Sequence, residues 1–134
     1  MALTRAHLLQ LQLKGTPLQL NGQDLRGADL SGLDLQGADF SYAQLTGARF
    51  CGANLQRAQL WSASAQRADF SAADLSFANL GTADLTESCL RGCCLYGASL
   101  IGATLTDAEL AGAILTGANC SGATQNGHPW KAFF

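Results

Sequence analysis

The side chains of this sequence that could do chemistry are few and oddly spaced. Of five cysteines, Cys89, Cys93 and Cys94 lie close together, while the two histidines, His7 and His128, stand near opposite ends of 134 residues. Thiols beside histidines would suit a zinc site or a Cys–His nucleophile, but no two cysteines have the CxxC spacing with a histidine nearby. Aspartate is the commonest acid, and Asp24, Asp29, Asp34 and Asp39 recur at every fifth residue. Carboxylates do acid–base work when two are brought together and their environments push their protonation apart. Phosphate-cradling glycine patterns of the GxGxxG or Walker type are absent. What these groups can do depends on how a five-residue spacing folds the chain.

Composition sets the outer bounds. With 48% hydrophobic and 13% charged residues the chain is globular and of single-domain length. Fifteen glycines point to a core assembled from a few repeated choices. A formal charge of -2 offers no basic surface for nucleic acid or an anionic membrane. No apolar run approaches a membrane span, and "AHLLQLQLKG" lacks the pattern of a secretory signal. A cytoplasmic, reducing location with free thiols is expected, since an odd cysteine count does not describe a disulfide framework.

The five-residue period runs through most of the chain. From Leu20 to Cys120 every fifth residue is Leu or Phe at 19 of 21 positions, Ala65 and Cys120 being the exceptions. Two residues earlier, from Ala28 to Ala123, 17 of 20 positions are Ala. The residue between is mostly polar, and glycine often falls two after the centre, as at Gly22, Gly27, Gly32 and Gly37. In an extended segment the small residue and the centre point the same way. A straight strand would send the next centre to the opposite face, and a straight helix would turn it by roughly 140°. The chain must therefore turn once per pentad, and glycine suits that corner.

Turning the same way each time makes an all-β solenoid with centre and small residue inside. The A-D-L-x-G pattern, in "GADLSGLDLQGADF" and "GANLQRAQL", resembles the pentapeptide-repeat family over residues 20–124. That resemblance implies a right-handed quadrilateral β-helix with four pentads per coil, hence about five coils and a rod of about 25 Å. The expected organisation is an N-terminal capping helix and linker over 1–17, the β-helix over 18–124 and a C-terminal cap over 125–134. Leu30, Leu35, Phe40, Phe50, Leu55, Phe70, Leu75 and Leu95 head the inward column, each contributing roughly 1.5–3 kcal/mol by leaving water. Ala65 is its one undersized member, next to Phe70, whose ring is expected to fill the gap. Cys93 and Cys120 fall inward; Cys51, Cys89 and Cys94 face out, no two of them stacked for bridging.

The ends break the period. "TRAHLLQLQLK", residues 4–14, reads as a short helix with Thr4 as N-cap and Leu8, Leu9 and Leu11 laid over the first coil, although "LQLQL" also alternates as a strand would. In "NGHPWKAFF" Pro129 is expected to start a helical turn, with Trp130, Phe133 and Phe134 covering the last rung. Those aromatics would otherwise pack on a second copy, as the resemblance to C-terminally dimerising relatives implies, so the chain is a monomer or a C-terminal homodimer.

A twenty-residue coil also stacks the outward residues. It superposes Asp29, Arg49 and Asp69, and Arg67, Glu87 and Asp107, and sets Arg57 below Phe77 at cation–π distance. Trp61 points outward below Gly81 and Ile101, beside Tyr42, while Phe77 and Tyr96 fall on or beside a different side. Exposed aromatics of this kind are the anchors that interfaces favour. They make Tyr42, Trp61, Ile101, Phe77 and Tyr96 the candidate surface for an unidentified protein partner. With the histidines at opposite ends and the aspartates one per side, no catalytic, metal or cofactor site is expected. The resemblance implies a non-enzymatic interaction module or scaffold, or alternatively a DNA mimic acting on DNA gyrase, which would need a strongly acidic surface.

Overall fold

The structure, a computed structural model, describes residues 3–12, 15 and 17–129. Helix α1, Arg5–Gln12, comes first, and a hairpin of β1, Thr124–Gln125, and β2, His128–Pro129, comes last. Between them the chain winds through single-residue parallel bridges, each to a residue twenty positions on: Asp29 to Arg49, Arg49 to Asp69, Asp69 to Cys89. A two-residue turn in every pentad gives each twenty-residue coil four sides.

One pentad shows why the period works. In residues 73–77 Asp74 N–H donates to Ala53 C=O at 3.0 Å in the coil before, and Leu75 and Phe77 N–H donate to Cys94 and Tyr96 C=O at 2.7 and 2.8 Å in the coil after. Ala78 N–H closes the corner on Leu75 C=O at 3.0 Å. Only Ser76 N–H is left without a backbone acceptor, and the Asp74 carboxylate takes it at 3.0 Å. Asp29, Asp34, Asp39, Asp69 and Asp84 do the same for the residue two after each. The recurrent acid is thus an Asx-type corner brace, not the merely solvated surface group that periodicity alone describes.

The second corner residue has positive φ throughout the coils. Glycine is at home there, but Tyr42, Arg57, Ala72 and Phe77 hold the same left-handed backbone at φ 58 to 61. That conformation costs an L-residue about 1–2 kcal/mol, and the ladder bonds on both sides of the corner hold it in place.

Inside, Leu30, Leu35, Phe40, Phe50, Leu55, Phe70, Leu75 and Leu95 are buried, as is Ala65. Phe50 and Phe70 stack at 4.9 Å between ring centroids and Phe40 meets Phe50 edge-on at 5.6 Å.

Thr4 does cap α1, its hydroxyl accepting His7 N–H at 3.2 Å. Leu8 is buried in the core and Leu11 packs partly against it. Leu9, expected in the cap, instead faces solvent, because each helical residue turns by about 100° and Leu9 is carried off the face that Leu8 occupies. Arg5 Nη1 donates to Asp29 C=O at 3.1 Å and the Gln12 amide donates to Asp34 C=O. Both carbonyls lie on the first coil, where a preceding rung would otherwise have supplied the donor.

The other end departs from the reading of Pro129 as a helix start. Thr124 and Gln125 pair antiparallel with Pro129 and His128 around Asn126 and Gly127, whose φ values are 53 and 77. Asn-Gly with both φ positive is the strongest two-residue hairpin signal, and it outweighs the preference of proline for a helix's first turn. Trp130, Phe133 and Phe134 lie outside the described residues. Among the described residues no helix is long and apolar enough to cross a membrane.

Candidate interaction surface

The fold disperses the chemistry-bearing groups. His7 sits in α1 with Nδ1 at 3.1 Å from Thr4 Oγ1, and His128 in β2 at the far end. Among the described residues no three His, Cys, Asp or Glu side chains gather as metal ligands. Burial pushes the Cys93 thiol up to about 12 and raises Cys120; burial and then the Asp69 carboxylate raise Cys51. None of these three is therefore an activated thiolate. Cys89 and Cys94 sit above Asp69 and Asp74 with Sγ at 3.1 and 3.2 Å from Ser71 and Ser76 Oγ.

The aspartates are occupied. Asp24 is held at about 2 by hydrogen bonds from the Arg26 side chain and then its backbone N–H. Asp29 is lowered first by the Ser31 N–H. At Asp69 partial burial works upward, but the Ser71 hydroxyl and N–H outweigh it and leave the carboxyl below its ordinary range. All three are stabilised as carboxylates, the opposite of an acid kept protonated for catalysis.

The four sides of the rod differ in what they show. Three carry all the acids but Asp39 and most of the arginines, with ion pairs of 2.8 Å between Arg26 and Asp24, 3.4 Å between Arg67 and Glu87, and 3.5 Å between Arg91 and Glu109. The fourth presents Asp39, Gln59, Asn79, Ser99 and Asn119, each bridged to the next. Asn79 Nδ2 donates to Gln59 Oε1 at 3.2 Å, and Asn79 Oδ1 accepts Gly81 N–H at 3.0 Å. We refer to this as the amide side.

Both corners that border the amide side are aromatic. The corner leading into it carries Arg57, Phe77 and Tyr96; the corner leading out carries Tyr42, Trp61 and Ile101. Phe77 and Tyr96, beside the side of Asp74, therefore also border the side that Trp61 borders. The turn before residues 78–80 and the turn after them are the two edges of one side, a relation that column positions alone had obscured. Five of the seven exposed large hydrophobic residues among those described lie on these two edges.

The edges are built firmly. Phe77 and Tyr96 meet edge-to-face at 5.5 Å, and Arg57 lies 5.1 Å from the Phe77 ring centroid. The Trp61 indole covers Gly81 and the Phe77 ring covers Gly97, so that a Cβ at either glycine would collide with the ring. Trp61 is 38% exposed although it also buries Gly81. Each ring is braced by its own rod and still open to a partner.

The profile of pentapeptide repeats matches residues 19–52, 53–92 and 93–124, in 8 copies. No curated protein matches the chain. Among solved structures, the pentapeptide repeat protein Rfr23 of the cyanobacterium Cyanothece 51142 is similar in fold, with TM-score 0.82 and 23% identity over 92% of this chain and 97% of that one. Another, alr5209 of Nostoc, is 34% identical over 88% of this chain and 75% of its own, with TM-score 0.38. A pentapeptide repeat protein of the Arabidopsis thaliana thylakoid lumen is 27% identical over 84% and 71%, with TM-score 0.45.

Proposed function

The chain belongs to the pentapeptide-repeat family and has its right-handed quadrilateral β-helix, and from that premise we propose that it is a non-enzymatic interaction module. It presents a protein partner with the amide side and its two aromatic edges. In this reading about five coils form the rigid body, α1 closes the first rung and the cytoplasm is the working compartment. The observation that carries the proposal is the confinement of Tyr42, Trp61, Ile101, Phe77 and Tyr96 to the borders of one side out of four. Exposed rings held in place at the edge of a low-charge surface are the anchors from which interfaces draw most of their energy.

The physical case against the DNA-mimic alternative is electrostatic. Mimicry needs a continuous acidic surface, whereas here Arg26, Arg67 and Arg91 pair with acids along the rod. Capture of partners from native lysate by the wild type and by Trp61→Ser tests the interaction reading. A partner retained by the first and lost by the second is expected; a partner retained equally by both contradicts it. Inhibition of gyrase supercoiling at equimolar protein would favour the alternative.

A further inference from the structure

The amide side carries more than aromatic edges. Apart from Arg57 over the Phe77 ring and Asp39 near the first coil, that side and its two corners hold no charged residue. Its backbone is fully used by the neighbouring coils: Asn79 N–H donates to Ala58 C=O at 2.9 Å and Asn79 C=O accepts Leu60 N–H at 2.7 Å. A partner therefore cannot dock there by adding a strand and must be read by side chains alone.

Size narrows the occupant further. The side's four uncharged stacked residues, Gln59, Asn79, Ser99 and Asn119, span about 14 Å at a rung spacing of about 4.8 Å, and the chain between the two corners reaches at most about 13 Å. The resulting surface of roughly 180 Å² is well under the ~800 Å² per partner of a stable protein–protein interface, so a second copy of this chain is too large a partner for this side alone. A slender, uncharged ligand rich in hydrogen-bond acceptors fits better.

Resting on the interaction reading above, we propose that the amide side binds a proline-rich segment in the polyproline II conformation, lying along the rod axis. Such a helix repeats every three residues over about 9.3 Å, and two rungs of the rod span about 9.6 Å. Trp61 and Ile101 on one edge are two rungs apart, as are Gln59 and Ser99, and Asn79 and Asn119, along the floor. Proline rings then meet apolar side chains once per ligand turn. The polyproline II backbone makes no internal hydrogen bonds, so its carbonyls are acceptors for the Trp61 indole N–H and the Gln59 and Asn119 amides. Rings over an uncharged floor, with amide donors between them, are the chemistry by which aromatic-lined grooves take proline-rich chains.

Fluorescence polarisation of a fluorescein-labelled decaproline peptide tests this with the full chain. Saturable binding is expected, weakened about tenfold or more by Trp61→Ala or Phe77→Ala, and unchanged by Arg91→Ala on another side. Ile101→Ser is the companion variant should Trp61→Ala lose its cooperative melt, and it is expected to weaken binding as well. Absence of saturable binding, binding indifferent to both Trp61→Ala and Ile101→Ser, or Trp61-dependent binding of cellohexaose in place of the peptide would each overturn the proposal. If decaproline fails while lysate capture still depends on Trp61, the polyproline assignment alone is wrong; if capture is also indifferent to Trp61, the interaction reading falls with it.

Discussion

Removing the Asp74 carboxylate should weaken the rod measurably, because this one side chain closes three hydrogen bonds. Its Oδ1 accepts the Ser76 N–H at 3.0 Å and the Ser76 hydroxyl at 2.6 Å, and its Oδ2 accepts the Gln56 amide from the previous coil at 2.7 Å. Asp74→Ala leaves Ser76 N–H, the one amide the ladder does not use, without its acceptor at a half-buried corner. A hydrogen bond to a charged group contributes about 1.5–3 kcal/mol. The hydroxyl and the Gln56 amide can turn to water, so a net loss of about 2 kcal/mol follows. For a chain of this length that corresponds to a fall in Tm of about 6–10 °C, each kcal/mol moving Tm by about 3–5 °C. Asp74→Asn keeps an oxygen for Ser76 N–H, and Gln56 can turn its amide to match, so a loss under about 1 kcal/mol is expected. Thermal melts followed by circular dichroism separate the variants. An Asp74→Ala melt that coincides with wild type, or an Asn variant as weak as the Ala one, would refute the corner-brace account.

Other consequences concern packing and acid. Ser88 is fully buried in the alanine column and its hydroxyl has no partner among the described residues, so Ser88→Ala should raise stability by about 1 kcal/mol in a urea titration; a destabilised variant would contradict this. Leu75→Ala should cost about 2–5 kcal/mol by leaving a cavity, whereas Ala65→Leu, overpacking beside Phe70, should cost about 1–3 kcal/mol, and paired melts would expose the reverse order. Asp24, held at about 2, and the lowered Asp29 and Asp69 bind protons more readily unfolded than folded. The stability they supply is therefore present above the ordinary carboxylate pKa and is lost as pH falls from about 4 toward 2; a stability flat across that window would contradict the assignment of these acids.

The rod was legible in the sequence because one rule governs it many times over. Leu and Phe at every fifth residue with Ala two before could be buried together only by a turn in each pentad, and stacking at twenty residues followed from four pentads per coil. What a side chain does for its neighbour's backbone was less legible. Asp24 or Asp74 looks like a surface acid until the single orphan N–H two residues on is counted. The left-handed corners at Tyr42 and Phe77 were hidden for a related reason: glycine announces positive φ, but a ladder bonded on both sides imposes it on other residues too.

The ends are less legible because they are single events. Leu9 lies in the same apolar run as Leu8 and only the phase of α1 turns it outward. Pro129 follows an Asn-Gly pair whose turn chemistry decides the local structure. The clustering of the candidate surface depends on a geometric relation that column positions do not show. Phe77 precedes an extended triplet and Trp61 follows one in the coil before, so their corners are opposite edges of the same side.

Site-specific photo-crosslinking in native lysate tests that surface most directly, with a benzophenone side chain placed at Tyr96 on the amide side's edge or at Asn54 on a neighbouring side. A partner crosslinked from Tyr96 and not from Asn54 is the expected result. A partner crosslinked equally from both positions, or from Asn54 alone, would contradict the claim that function resides on the amide side.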